Sequence, residues 1–143
     1  MVKMITSPAD VLFDQERAID GNDVIELLST INTLRDSTLT EVLVTSENGL
    51  PIVQFSFQAR TGSDFNKIKL LFLKVESFSI DYNSDDVFLN VSDLKFLHLK
   101  NGRYYISLDP DPGTLISAGV NDLEQSSTDR FFVLSGQIFA VLD

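Results

Sequence analysis

The chain has 143 residues, no cysteine or tryptophan, 11 phenylalanines and a formal net charge of −10 from 21 acidic and 11 basic side chains. Its length suits one domain, and its 43% hydrophobic and 22% charged residues are typical of a globular protein. The lack of cysteine excludes disulfides, thiol catalysis and cysteine-ligated zinc, and the negative charge argues against binding to nucleic acid or to an anionic membrane surface.

The first third of the chain predicts helices. Ser7-Pro8 resembles a helix start, and weak helical spacing continues to Ile19. Gly21 interrupts this pattern, and Asp23 with Glu26 then resembles a capping box. The following apolar side chains have helical spacing and form one stripe: Val24, Leu27, Leu28, Ile31 and Leu34. We expect a helical segment over about residues 7–35, with this stripe packed on a sheet.

From about Thr38 the periodicity changes from that of a helix to that of strands. Residues 41–45 form a first strand, and the Asn48-Gly49 pair predicts a turn. In residues 53–59, apolar side chains alternate with Gln54, Ser56 and Gln58, which predicts one buried and one hydrated face. Residues 70–73 are apolar on both faces, which is typical of a strand in the middle of a sheet.

A second Asn-Gly pair, Asn101-Gly102, separates two strand-like runs at residues 94–100 and 103–108, and predicts a hairpin with a two-residue type I′ turn. The closing apolar segment, residues 131–142, is divided by a bend or bulge at Gly136. The β-rich region covers about residues 38–142. The fold class predicted for the single domain 1–143 is α+β, with N-terminal helices packed on a mostly antiparallel, strongly curved β-sheet or β-sandwich.

The sequence motifs predict no catalytic residue, metal or cofactor. His98 is the only histidine, and no local motif supplies it with a nucleophile or an orienting carboxylate. The segment that begins at Asp81 starts like a calcium loop, but it has Asp86 in place of glycine and Ser92 in place of glutamate. The phenylalanine excess has two interpretations, a β-rich shell around an apolar ligand or an ordinary aromatic core.

Three stretches together resemble the small bacterial immunity proteins of polymorphic or contact-dependent toxin systems. They are Leu34-Arg35-Asp36-Ser37, the strand-like residues 69–78 with their Val-x-x-Phe step, and residues 104–110 followed by Asp129 and a closing apolar strand. The resemblance spans about residues 34–141. It implies stoichiometric inhibition of a cognate toxin, with acidic groups that steer toward a basic effector.

The function predicted from the sequence is therefore a non-catalytic protein-binding module, with a basic toxin domain as its expected partner. The chain shows no secretory signal and no run of about 18 apolar residues, so we expect a cytoplasmic protein with no membrane or nucleic-acid partner. Two alternatives stay open: a binder of small apolar ligands, and an enzyme that uses dispersed carboxylates. The candidate contact residues all lie in predicted loops: Asp81, Tyr82, Asp85, Asp86, Asp109 and Asp111.

Overall fold

One antiparallel sheet accounts for most of the chain that is described. The computed structural model describes residues 18–81, 91, 94–108 and 130–143. Its elements are β1 (Ile19–Asp20), α1 (Asn22–Leu27), β2 (Thr38–Glu47), β3 (Leu50–Gln58), β4 (Lys67–Ile80), β5 (Lys95–His98), β6 (Tyr104–Ser107) and β7 (Phe131–Leu142). The strands form an open sheet in the order β2-β3-β4-β7-β6-β5, and β1 also pairs with β7.

The two longest strands, β4 and β7, connect two halves of the sheet. β3 pairs with the first half of β4, from Lys67 to Phe72, while β6 pairs with the first half of β7, from Phe132 to Ser135. β1 pairs with the second half of β7, at Phe139 and Ala140. The two halves therefore share only the paired strands β4 and β7.

A bend separates these halves at Lys74 and Gly136. Lys74 has φ 53°, and a Cβ added to Gly136 would lie 3.1 Å from the Cβ of Lys74. The register of β4 on β7 also shifts between Val75 and Ser77, as it does at a β-bulge. Glycine at position 136 permits this close approach, and the bulge predicted near it from the sequence is confirmed.

The main core lies on one face of the folded sheet. Phe55 is fully buried, and its ring contacts those of Phe72 and Phe131 with centroid distances of 5.3 and 5.5 Å. A smaller cluster on the second face contains Ile52 and Leu71, so the two-sided apolar pattern of the central strand β4 is confirmed. Gln54 is also buried there, and the predicted hydrated face of β3 is therefore wrong at this residue.

The expected layer of N-terminal helices is wrong. α1 has six residues, and its N-cap, Gly21, makes no side-chain capping bond. The helix ends early because the hydroxyls of Ser29 and Thr30 donate to the carbonyls of Glu26 and Leu27, which competes with continued helix. Ile31, expected on the buried stripe, is 59% exposed. The rest of the first predicted helix lies outside the described residues, and Ile19 belongs to β1.

The two Asn-Gly pairs form different turns. Asn48 and Gly49 both have positive φ, and Glu47 pairs with Leu50, which is a two-residue type I′ turn. In the β5–β6 hairpin His98 pairs with Tyr104, and the Gly102 amide donates to the Leu99 carbonyl over 3.0 Å. Only Gly102 of its pair has positive φ, so this is the longer loop in which a left-handed residue follows a type I turn. The hairpin predicted here is confirmed, and its predicted turn type is wrong.

Candidate functional site

The histidine singled out by the sequence has no catalytic surroundings. His98 is exposed on β5 and stacks on the ring of Tyr104 at a centroid distance of 4.4 Å. In the described part of the chain, no three His, Cys, Asp or Glu side chains are grouped so that they could hold a metal ion. The described geometry therefore supplies a stacking contact and no acid–base constellation.

Only one of the six candidate contact residues falls on described structure. Asp81 is exposed directly after β4, and its amide donates to the carbonyl of Arg130 over 3.1 Å. This bond fixes the point at which the chain leaves the sheet. The other five candidates lie outside the described residues: Tyr82, Asp85, Asp86, Asp109 and Asp111.

The negative charge is unevenly distributed along the chain. The described ranges hold nearly equal numbers of acidic and basic side chains, so most of the net charge of −10 comes from the remaining segments. Residues 109–129 alone contain five carboxylates and no Lys or Arg, namely Asp109, Asp111, Asp122, Glu124 and Asp129. The described part of the chain is therefore close to neutral, and five of the six sequence-predicted contacts belong to the segments that make the protein acidic.

A cleft of about 390 Å³ lies between α1 with the turns that follow it and the start of β5. Its apolar lining is formed by Ile25, Leu28, Leu94 and Phe96. Leu28 is buried and the other three are half-buried. These residues come from segments that are far apart in sequence, so packing of α1 beside β5 creates the cleft.

Polar side chains form the rest of the cleft lining, namely Ser29, Thr30, Thr33 and Arg35. The Thr33 hydroxyl accepts a hydrogen bond from the Arg35 amide at 3.3 Å, which orders this wall. All of them except Thr33 are exposed, so the cleft opens to solvent. An apolar lining with a few polar groups at its mouth is the usual composition of a binding site.

Backbone pairing beside the cleft holds its two walls together. The Asp36 amide donates to the Val91 carbonyl over 2.7 Å, and the Val91 amide donates to the Ser37 carbonyl over 2.9 Å. These bonds tie the segment after α1 to the segment that leads into β5. Backbone hydrogen bonds therefore hold the elements around the cleft in place, in addition to side-chain packing.

Exposed carboxylates lie on the elements that form this cleft. Asp23 and Glu26 are exposed on α1, and Asp36 is exposed beyond Arg35. The segment that enters β5 at Leu94 carries Asp85, Asp86 and Asp93 in its sequence. An occupant of the cleft would meet apolar side chains inside and the hydroxyls and the Arg35 guanidinium of the polar lining, which suits an apolar anchor.

A separate polar cluster lies on the second face of β2 and β3. The Gln54 amide nitrogen donates to Oε1 of Glu41 over 3.2 Å, but the Oε1 of Gln54 is buried and has no hydrogen-bond partner in the described part of the chain. The hydroxyl oxygens of Thr45 and Ser56 are also buried there without a described partner. Buried polar atoms without partners are costly, so this cluster weakens the sheet locally unless another group reaches it.

An exposed ion pair links the β5–β6 hairpin to the bulge of β4. Nε of Arg103 donates to Oε1 of Glu76 over 2.6 Å, and Nη2 of Arg103 contacts the same oxygen. This hydrogen bond, together with the charge of Arg103, lowers the pKa of Glu76 and raises the pKa of Arg103. The pair fixes the orientation of the hairpin and has no second acid or base in the contacts described.

Comparison of the chain with protein-family models, with curated proteins and with solved structures gives no match. Among the residues described, no helix is long and apolar enough to cross a membrane. The cleft and the distribution of charge are the two features of the molecule that bear on its function.

Proposed function

We propose that the protein is a non-catalytic protein-binding module that takes a basic partner. At a finer level, we propose that it is a cytoplasmic immunity protein that neutralises a bacterial toxin by stoichiometric binding. The observation that carries the proposal is the cleft beside α1, whose apolar lining is open to solvent in a chain with a net charge of −10. A buried anchor in a pocket with a polar rim is the arrangement that dominates binding energy in protein interfaces.

Charge supports a basic partner over a neutral one. With a net charge of −10, the chain attracts basic proteins and raises their association rate. Apolar contact in the cleft then sets the dissociation rate. Binding should therefore weaken as salt is added, mainly through slower association.

The first experiment identifies the partner and then tests the cleft. The immobilised chain is exposed at low salt to an extract of the source cells, and any basic protein retained is purified and titrated by calorimetry. We expect one-to-one binding that Ser29→Arg weakens by at least roughly tenfold, because a cation at the cleft mouth repels the partner and blocks its anchor. Ser46→Arg, the same change at an exposed serine of β2, should leave the affinity nearly unchanged.

A second comparison tests the loop carboxylates. Asp85→Asn with Asp86→Asn should slow association, while Asp20→Asn with Asp143→Asn removes equal charge from exposed positions on the sheet. Equal effects of the two double variants would show that only total charge matters. Failure to retain a basic protein, or unchanged binding by Ser29→Arg, would count against the proposal.

The cleft also favours a second candidate function, the binding of a small apolar ligand. Its volume of about 390 Å³ lies within the range of ligand pockets. Its open mouth argues against this function, because ligand pockets bury most of the surface of their ligand. Titration with a fluorescent apolar dye separates the two: saturable binding of one dye, abolished by Thr33→Trp, supports the small-ligand function.

A further inference from the structure

The outer edge of β2 is free among the described strands. In the two-residue hairpin, Glu47 and Leu50 exchange backbone hydrogen bonds, and this pattern alternates along the ladder. The odd-numbered residues from Glu41 to Glu47 therefore direct their backbone groups toward β3. The backbone N–H and C=O groups of the residues between them point away from the sheet, namely those of Val42, Val44 and Ser46.

The centre of this edge is apolar, which is unusual for a strand edge that faces water. Val44 is 44% exposed, and its neighbours Val42 and Leu43 are half-buried. A register shift at Thr40 interrupts the edge at its beginning, so the unpaired ladder is short. Exposed apolar edges with free backbone groups attract another strand.

We propose that β2 pairs antiparallel with β2 of a second copy of this chain, with a twofold axis at Leu43. In this register Leu43 faces Leu43 of the second copy, and Val42 and Val44 face each other across the junction. The two Val42–Val44 pairs exchange about four backbone hydrogen bonds. The sheets of both copies then continue into one.

Charge and side-chain chemistry select this register. An axis at Val44 places Glu41 directly opposite Glu47 on both sides, which repels. An axis at Val42 places Glu41 opposite Leu43. The proposed axis places Glu41 opposite Thr45, whose hydroxyl oxygen is buried and lacks a partner among the described residues. A rotation about χ1 of Thr45 lets this hydroxyl donate to the carboxylate of the second copy.

This interface is separate from the cleft. The proposed pair is centred on Leu43, whereas the cleft lining before β2 ends at Arg35, so the two sites share no residue. Pairing of two copies through β2 does not require the proposed basic partner. The effect of salt distinguishes self-association from binding of a basic protein. Two copies of the chain carry equal negative charge and repel each other, so self-association should strengthen as salt is added, whereas binding of a basic protein should weaken.

Cysteine crosslinking tests the register directly, because the chain has no cysteine of its own. On the axis, two residues in a non-hydrogen-bonded pair lie about 4.5 Å apart at Cα, which suits a disulfide. Under mild oxidation Leu43→Cys should form a covalent dimer at least about tenfold faster than Thr61→Cys, an exposed turn control. Faster crosslinking of Val44→Cys, or equal rates for Leu43→Cys and Thr61→Cys, would overturn the proposal.

Sedimentation of the chain without substitutions keeps the test independent of the folding of variants. We expect a reversible dimer over about 10 µM to 1 mM, since an interface of this size is weak. Val44→Lys should abolish the dimer by placing a charge on the edge. Leu50→Lys makes a similar change at an exposed residue of β3, which lies away from the outer edge of β2, and should retain the dimer. A monomer at every concentration and salt overturns the proposal.

Discussion

The rings of Phe55 and Phe131 lie with their centroids 5.5 Å apart, although the sheet register separates them widely. Phe55 pairs with Leu70, which pairs with Ala140, whereas Phe131 pairs with Ile80 at the opposite end of β7. In a flat sheet these two rows would be about 30 Å apart. The bend in β4 and β7 therefore folds one half of the sheet over the other, and the aromatic contact closes the core between them.

Removal of this contact should destabilise the whole fold. Phe55→Ala should lower the free energy of unfolding by about 3–5 kcal/mol, because Phe55 is fully buried and contacts both halves. Urea unfolding followed by circular dichroism measures the change. Phe78→Ala, at a residue that is 38% exposed, should cost much less. Equal costs would mean that the two halves do not share a core.

Substitutions at Lys74 and Gly136, the two residues of the bend, should have coupled effects on the free energy of unfolding. Gly136→Ala should cost about 1–3 kcal/mol, because the added Cβ lies 3.1 Å from the Cβ of Lys74. Lys74→Gly removes that atom and also relieves the left-handed conformation at φ 53°. In the Lys74→Gly background Gly136→Ala should therefore cost less, with a coupling of about 1 kcal/mol in a double-mutant cycle. Additive costs would contradict direct contact.

The buried amide on the second face should be replaceable by an apolar side chain. Gln54→Leu should raise the free energy of unfolding by about 1 kcal/mol, since Oε1 has no partner and Glu41 is exposed enough to regain water. Gln58→Leu, at an exposed position of the same strand, should change stability by less than about 0.5 kcal/mol. If Gln54→Leu instead weakens the fold, another polar group must reach this amide.

The Glu76–Arg103 pair should make a small contribution that depends on pH. Arg103 lowers the pKa of Glu76 in the folded chain, so the stabilisation is present above the unfolded-state pKa and is lost as the pH falls through the lower folded value. NMR titration of the Glu76 carboxyl should show a pKa below 4.5, and Arg103→Gln should raise it. High salt should reduce the difference, because both side chains are about 40% exposed. An unchanged pKa in Arg103→Gln would contradict the pairing.

The sequence predicted the strands well where the signal was local. Leu70 to Leu73 are apolar on both faces, and this pattern alone places β4 inside the sheet. The length of the loop after β5 depends on the register in which β5 pairs with β6. The Asn101-Gly102 dipeptide does not specify that register. A two-residue loop at Asn101-Gly102 would have placed Lys100 opposite Arg103 and Phe96 opposite Ser107. The longer loop separates the like charges and pairs Phe96 with Ile106.

The helix prediction failed because an apolar stripe does not specify how its residues reach the core. Leu28 and Leu34 are buried as predicted, but turns carry Leu34 there, and Ile31 faces water. The cleft was missed for a related reason. Leu28 and Phe96 line it from distant segments, and only the tertiary fold brings them together. The predicted acidic contacts remain predictions, and Asp81 marks where one of their segments leaves the sheet.

The position of β7 has a consequence for the order of events during synthesis. This strand is the last of the described elements to leave the ribosome, yet it bonds to β1, β4 and β6. Until it emerges, the β2–β3–β4 meander and the β5–β6 hairpin have no strand to join them. We therefore expect apolar strand edges to stay uncovered in the nascent chain until β7 emerges, and the final folding step to be slow and sensitive to aggregation.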